Sequence, residues 1–523
     1  MAIKTLLEFA TDTTLIRLLV KERAKQRGRN KSDKKHQFNP ETDFDTLSTR
    51  KKLCRIMPPR RTWVRPTRRI KNPVGALDKR KNASKALLYT INRDLQLQQQ
   101  GHTFAYLDEL QAFLHRIRSL IARDDLSFQS PTLLPILKDQ EQQSDGTTLV
   151  TCRPLSVYSR LEDKIILALT SQYLTLYLDR YLHDNILSYR PLRKIGNESE
   201  KRLVDFNDGA RLINEYRLSH AAHPIYAADC DIKKFYDIIP HQVVRDCFSR
   251  LLQKSQLSPE GQSQVMRVLN AYLASYNYYE SAWLQAQRDS HVYWKVRRRL
   301  HDTTRKNTYQ LGWPAELGAP GTDIEPRGVP QGGSLSLLVA NIVLNDVDQA
   351  VLTGDNPDRL FIRFCDDMLL LHTDYDECCR LMKAYADSLT SHGLYYHPFK
   401  SVSECSRHDF WYIKSHHPFL WGDGDGNCNR YIGFLGYEIS RNGLMRLRKS
   451  NIKRIDEKFT KLRFILHRYR KKHDEDEYHS MRDRKLKNIE EGLNIYTSLD
   501  QLRFRLGRQY RHIQRLLKRF SEY

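Results

Sequence analysis

The most regular hydrophobic pattern lies in residues 163–178, where Ile166, Leu169, Tyr173 and Leu176 recur at spacings of three and four. That period marks one apolar face of a helix. Arg180 takes the next place on the stripe and ends the buried face. Residues 83–186 read as mostly helical. Apolar runs at 225–232, 361–364, 368–371 and 431–439 predict short strands. Between them, residues 376–391 carry Leu381, Tyr385 and Leu389 on one helical face, with Gly393 as C-cap. Two more stripes follow: Ile452, Ile455, Phe459 and Leu462, then Leu506, Tyr510, Ile513, Leu517 and Phe520. The mixture predicts an α+β chain with a small antiparallel sheet. There is no internal repeat.

Composition narrows the class. With 523 residues and 40% hydrophobic side chains, the chain is not wholly disordered, and its length suggests roughly three or four domains. It carries 86 Lys and Arg against 62 Asp and Glu, a formal charge of +24, which points first to nucleic acid. The excess sits at the ends. Residues 1–81 hold 23 basic and 8 acidic side chains, and residues 446–523 hold 23 and 11. Residues 82–445 hold 40 and 43. Two basic grips around a near-neutral centre suit a metal-centred site that handles a polyanion.

Residues 51–80 contain eleven Lys and Arg against Asp78 alone, interleaved with Pro58, Pro59, Pro66 and Pro73. The prolines exclude a long helix, so the segment reads as an extended basic arm. Trp63, Ile70 and Val74 within it favour a nucleic-acid groove over a solvated tail. The nine cysteines are scattered without a C-x-x-C, as expected of free thiols in a reducing cytoplasm. Glu8, Asp12 and Arg17 interrupt the first residues, so no signal peptide is expected. Polar residues break the apolar run at 165–178, so no membrane helix is expected either.

Three carboxylates stand out. Asp231 ends an apolar run in IYAADCDIKKFYD, and Asp366 and Asp367 lie between two apolar runs in FIRFCDDMLLL. Adjacent acids at the tip of a hydrophobic hairpin are electrostatically poor unless a cation sits there. Hard oxygen ligands suit Mg²⁺ together with substrate phosphates. A lone Asp-Asp pair also fits an exposed turn.

Read in order, the motifs resemble those of bacterial-lineage reverse transcriptases, the group that includes group II intron, retron and diversity-generating types. DIKKFYDIIPH (231–241) looks like motif A, GVPQGGSLSLLVANIVLNDVD (328–348) like motif B, and FCDD (364–367) like motif C. GLYYHPFKS (393–401) resembles motif D, and FLGYEIS (434–440) resembles motif E. RPLSVYSRLEDKII (153–166) and LSYRP (187–191) resemble the fingers motifs. The resemblance spans residues 150–450. Leu337 stands where the family usually has Pro, and Cys365 where Ala is common. The segment between motifs A and B is longer than a minimal palm needs, and rich in Tyr and Arg.

The resemblance implies a right-hand polymerase. It would have a basic N-terminal extension (1–82), helix-rich fingers (83–222), a palm (223–440) with an insertion at about 245–325, and a helical thumb (441–523). It implies two Mg²⁺ ions, with Mn²⁺ as an alternative, held by Asp231, Ile232, Asp366 and Asp367, the aspartates being catalytic. Phe235, Tyr236, Gln331 and Gly332 would line the nucleotide. The aromatic at Tyr236 would exclude a ribose 2′-hydroxyl and so select dNTPs. Arg190 and Arg153 would grip the triphosphate, and Lys400 would neutralise or protonate the leaving pyrophosphate. Leu435 and Gly436 would form the primer grip.

GDGDGN (422–427) lacks Gly and Glu at the places a calcium loop requires, and Cys405, His408, His416, His417 and Cys428 match no zinc spacing. The residues after motif E read as helix, which leaves no place for an RNase H domain. The overall pattern is most like stand-alone, abortive-infection enzymes of phage defence. The expected partners are an RNA template, specifically a structured noncoding RNA, with dNTPs and a DNA product. No membrane partner is expected, and homo-oligomerisation is left open. Two other readings stand beside this one: a template-independent or protein-primed DNA polymerase, with priming hydroxyls in the Tyr-rich insertion or at Tyr523, and an RNA-binding scaffold with an idle palm.

Overall fold

The computed structural model describes residues 5–32, 44–71, 78–190, 204, 207–288, 307–321, 324–406, 409–470, 474–483, 485–486 and 507–521. Val74, Pro191, His408, Leu506, Tyr523 and residues 289–306 of the insertion lie outside them. The strands are β1 Thr132–Gln142, β2 Thr148–Val157, β3 Tyr226–Asp231, β4 Asn307–Gln310, β5 Arg359–Phe364, β6 Asp367–His372, β7 Phe399–Lys400, β8 Ser415–Trp421, β9 Cys428–Asn429, β10 Tyr431–Phe434, β11 Tyr437–Ser440 and β12 Met445–Leu447. Two compact units share them: Met1–His183, Lys234–Val347 and Thr390–Tyr395 form one, and Asp184–Lys233, Asp348–Leu389 and Tyr396–Tyr523 the other.

The first unit is mostly helical. Its helix Leu161–Leu178 buries Ile166, Leu169 and Tyr173 as the spacing predicts, but Leu176 is exposed. At 100° per residue Leu176 lies only about 20° from Leu169, so its angle on the helix does not explain its exposure; near this end Leu174 and Leu178, on the adjoining face, are buried instead. The basic N-terminal stretch is ordered further than an extended arm. Helix Asp12–Ser32 buries Leu15, Leu19 and Val20 and packs on helices Lys79–Gln99 and Leu161–Leu178. Helix Phe44–Arg55 enters the segment, which then continues without long helix and bonds to Lys79–Gln99. There, Val64 N–H donates to Thr90 Oγ1 and Ile70 N–H to Asn82 Oδ1.

The mostly helical reading of 83–186 is interrupted at 132–157, which forms the antiparallel hairpin β1–β2, extended by β4 parallel to β2. On β2, Val150, Cys152, Pro154 and Ser156 alternate inward, the period of two that defines a half-buried strand. Asp145 and Gly146 supply the turn, with Gly146 at φ +77° and Asp145 Oδ1 accepting from Thr147 N–H.

The second unit is built on a sheet in the order β5-β6-β3-β8-β7, with β9 beside β8. The first four strands are antiparallel, but β7 and β9 run parallel to β8, so the sheet is not antiparallel throughout. Its core includes Ala227, Ile362, Leu369, Leu371, Phe419 and Trp421. The run at 431–439 is not one strand. It folds back between β10 and β11 at Leu435 (φ +48°) and Gly436 (φ +86°), the paired positive φ of a tight hairpin. Helix Lys449–Arg470 buries Ile455, Phe459, Leu462 and Leu466, and the Phe459 ring lies 5.3 Å from Phe520 of helix Gly507–Ser521. The class is therefore α+β, with small, largely antiparallel sheets. Among the described residues, no helix is long and apolar enough to cross a membrane.

Candidate active site

All three aspartates belong to the second unit. The register of β3 on β6 runs from Tyr226 opposite His372 to Asp231 opposite Asp367, so these two carboxylates are cross-strand partners. Phe364 pairs with Asp367 across β5 and β6, which leaves Cys365 and Asp366 as a two-residue loop. Cys365 has φ +57°, a conformation that favours glycine. Asp231 is fixed by its backbone: its N–H donates to Ser415 Oγ at 3.0 Å, and its carbonyl accepts from His397 N–H at 3.0 Å. The backbone of Ile232 bridges to Tyr396 in the same unit. Asp231 and Asp366 are half-buried, and Asp367 is exposed.

Like charges placed directly opposite in a sheet repel. The Asp367 carboxyl is pushed up to about 7, by the protein packed around it and then by Asp366 and Asp231, while Arg448 and Lys414 pull the other way. Because that side chain reaches solvent, repulsion is the firmer of the two causes. Lys414, at the foot of β8, places Nζ 3.1 Å from Asp231 Oδ2. Asp231 and Asp367 as cross-strand partners, with Asp366 in the loop beside them, offer the carboxylate oxygens that a hard divalent cation takes, although their ligand atoms do not all lie within 4.8 Å of one another.

The motif A helix and the motif B loop lie together in the first unit. Val329 N–H donates to Tyr236 O at 2.8 Å and Gly328 N–H to Ile239 O at 2.8 Å. Gln331 Nε2 donates to Asp237 Oδ1 at 2.7 Å, and the Gln331 carbonyl accepts from Ser156 N–H on β2. Asp237 is buried, and burial raises its carboxyl to about 6, against the pull of Gln331, Lys234, Lys138 and Arg153. Phe235 is buried, Tyr236 half-buried and Arg153 exposed. Gly332 has φ +88°, and a Cβ there would meet Leu155 Cδ1, the end of a flexible side chain, at 2.5 Å.

The remaining expected residues sit in the second unit. Arg190 is buried, and its Nη1 donates to Ile186 O at 3.1 Å. Lys400 is exposed on β7, with β8 between it and β3. Leu435 and Gly436 form the β10–β11 turn, where Gly436 O accepts from Arg448 N–H and Asn451 Nδ2. Sequence reading missed Lys414, because nothing local shows that β8 pairs with β3. It also missed Arg363, whose charge inside the apolar run FIRF was the available signal.

In the first unit, Cys247, Asp346 and His392 bring ligand atoms within 4.8 Å of one another. Arg250 already serves that cluster, donating to Asp346 Oδ2 at 2.5 Å and to Cys247 Sγ at 3.3 Å. His416, one of the cysteines and histidines weighed as zinc ligands, is instead held by Asp229 at 2.8 Å and by the Phe410 carbonyl.

Residues 290–439 match the family model described as reverse transcriptase (RNA-dependent DNA polymerase). The matched stretch includes Asp366 and Asp367 and begins after Asp231. Among solved structures, the chain is similar to telomerase from Candida tropicalis in complex with the TWJ fragment of telomeric RNA. The identity is 14%, over 71% of this chain and 54% of that one, with a TM-score of 0.37. For apo telomerase from Candida tropicalis the values are 15%, 66%, 53% and 0.35. For telomerase from Candida albicans with the TWJ fragment they are 13%, 78%, 69% and 0.31. The chain thus spans about half the length of the Candida tropicalis chains. A search of the curated proteins found no match.

Proposed function

We propose that the chain catalyses RNA-templated DNA synthesis, adding dNTPs to a 3′-hydroxyl. The observation that carries this reading is the cross-strand pair Asp231–Asp367 with Asp366 beside it, read together with the family match. Asp231, Asp366 and Asp367 would hold Mg²⁺, which supplies charge stabilisation and a more nucleophilic 3′-oxygen when bound. Within the second unit, the strands and their hydrogen bonds orient the acids. Tyr236, Gln331 and Gly332 would line the nucleotide, and Arg190, Arg153 and Lys400 would meet its phosphates, as the motif resemblance implies. The Tyr236 ring would stand where a ribose 2′-hydroxyl needs space. In this reading residues 1–82 form the basic extension, 83–222 the fingers, 223–440 the palm and 441–523 the thumb. A dedicated structured RNA as template, a role in antiphage defence and a cytoplasmic setting complete the proposal; all nine cysteines are free thiols, which suits that compartment.

The test is incorporation of each labelled dNTP on an RNA template, with wild type and Asp366→Ala side by side. Asp366-dependent DNA product is expected, and Tyr236→Ala is expected to admit ribonucleotides. Absence of any Asp366-dependent product, on added or co-purified RNA, would sink the reading.

A protein-primed variant has one observation in its favour. Tyr189 is 57% exposed, and its ring lies 6.3 Å from that of Phe364 at the end of β5, beside the loop that carries Asp366. Its oxygen would attack the α-phosphorus of the first nucleotide, with pyrophosphate leaving. DNA covalently attached to wild-type protein but not to Tyr189→Phe would support this variant.

A further inference from the structure

Among the described residues, Arg363 and Asp348 are the one ion pair of the second unit with both side chains fully buried. Arg363 Nε lies 3.0 and 2.8 Å from the two Asp348 oxygens, and Nη2 lies 2.7 Å from Oδ2. The remaining terminal nitrogen, Nη1, donates to the Cys365 carbonyl at 3.0 Å. On its other side, Cys365 N–H donates to Ser188 Oγ at 3.0 Å. Both backbone groups of the loop residue before Asp366 are therefore held by side chains. Arg363 is fixed in turn by its own backbone: its N–H donates to Asn185 O at 3.1 Å, and its carbonyl accepts from Leu187 N–H at 2.9 Å.

Stability alone does not account for this pair. Replacing a buried ion pair by apolar side chains of similar size is often neutral or stabilising. An apolar pair, however, offers nothing to the Cys365 carbonyl. The loop has little reason of its own to stay put, since a non-glycine residue occupies φ +57° and the acids beside it repel Asp231. A guanidinium fork clamped by one carboxylate has a donor left over for such a carbonyl; a lysine in its place does not offer the same geometry.

We propose that Arg363, oriented by Asp348, is a positioning residue that fixes the Cys365–Asp366 loop and sets the placement of Asp366 and Asp367 before a cation arrives. The proposal rests on the reading of the three aspartates as a cation site.

The test measures Mn²⁺ affinity by calorimetry, thermal unfolding and dNTP turnover in wild type, Arg363→Lys and the apolar double variant Arg363→Met/Asp348→Leu. The double variant is expected to unfold near the wild-type temperature while binding Mn²⁺ about tenfold more weakly, as loss of an outer-shell partner does. Its kcat is expected to fall about 100-fold with little change in KM for dNTP, the mark of displaced acids rather than a lost substrate contact. Arg363→Lys should lose affinity in the same direction, and adding Cys365→Gly, which relieves the loop, should restore part of it. Wild-type Mn²⁺ affinity and turnover in either Arg363 variant would overturn the proposal and leave the polymerase reading intact. Weakened Mn²⁺ binding in the variants of a protein that incorporates no dNTP would support the positioning role and sink the polymerase reading instead.

Discussion

Lys414 Nζ stands 3.1 Å from Asp231 Oδ2, so an ammonium group neutralises one of the three clustered carboxylates. Lys414 is 61% exposed along its side chain, which limits the pair to about 1 kcal/mol or less. A divalent cation bound by Asp231 must displace that contact. Lys414→Ala is therefore expected to tighten Mn²⁺ binding by up to about fivefold, read by calorimetry at low ionic strength. Weaker binding in the variant would show that the ammonium supports the cation site instead of competing for it.

Asp366→Asn separates chemistry from folding. Removing one of three repelling charges is expected to raise the thermal midpoint of the metal-free protein, by an amount on the order of 1 kcal/mol or less. The same change should lower dNTP incorporation on the order of 100-fold or more. A midpoint that falls would mean that Asp366 makes a structural contact outweighing the repulsion.

His241 gives a pH dependence with a definite sign. Its Nε2–H donates to the Gly328 carbonyl at 2.7 Å, and burial, with Arg245 adding to it, lowers the imidazole to about 4. An unfolded histidine takes its proton near 6.5. The folded protein thus gains this contribution fully above about 6.5 and loses it as the pH falls toward 4, a change of about 3 kcal/mol. Buried acids such as Asp237 and Asp163, raised to about 6, tilt the same window in the opposite sense. Comparison with His241→Gln isolates the histidine: the variant should lose less stability between pH 6.5 and 4.5 in urea titrations. Parallel pH profiles would remove His241 as the cause.

Two glycines of the motif B loop differ in what surrounds them. A Cβ on Gly328, at φ +86°, would meet the backbone oxygens of Asp237 at 2.8 Å and Tyr236 at 3.1 Å. A Cβ on Gly332 would meet the end of the flexible Leu155 side chain. Gly328→Ala is expected to cost about 2–4 kcal/mol and Gly332→Ala about 1–2, measured as urea midpoints. Equal losses would show that positive φ alone sets the cost.

The three aspartates were legible because each closes or splits an apolar run, and apolar runs report burial directly. Helix Tyr375–Ser391 was legible for the same reason, with Leu381, Tyr385 and Leu389 inside. The β1–β2 hairpin was not, since its alternation lies in a stretch dominated by helical spacing on both sides. Arg190 shows another limit: its burial and the bond from its Nη1 to the Ile186 carbonyl could not be read from a basic sequence alone. The single run at 431–439 concealed its turn because Leu435 carries a positive φ that sequence does not advertise.

β8 lies between β3 and β7, and this changes which part of the chain borders the acids. The lane next to Asp231 belongs to a segment that arrives after motif D, so position in the sheet and order in the sequence have come apart. Matching lysines by motif order selects Lys400; matching them by neighbourhood selects Lys414. Substitutions around Lys414 and Ser415 should consequently tune the acidic cluster directly, although no polymerase motif covers them.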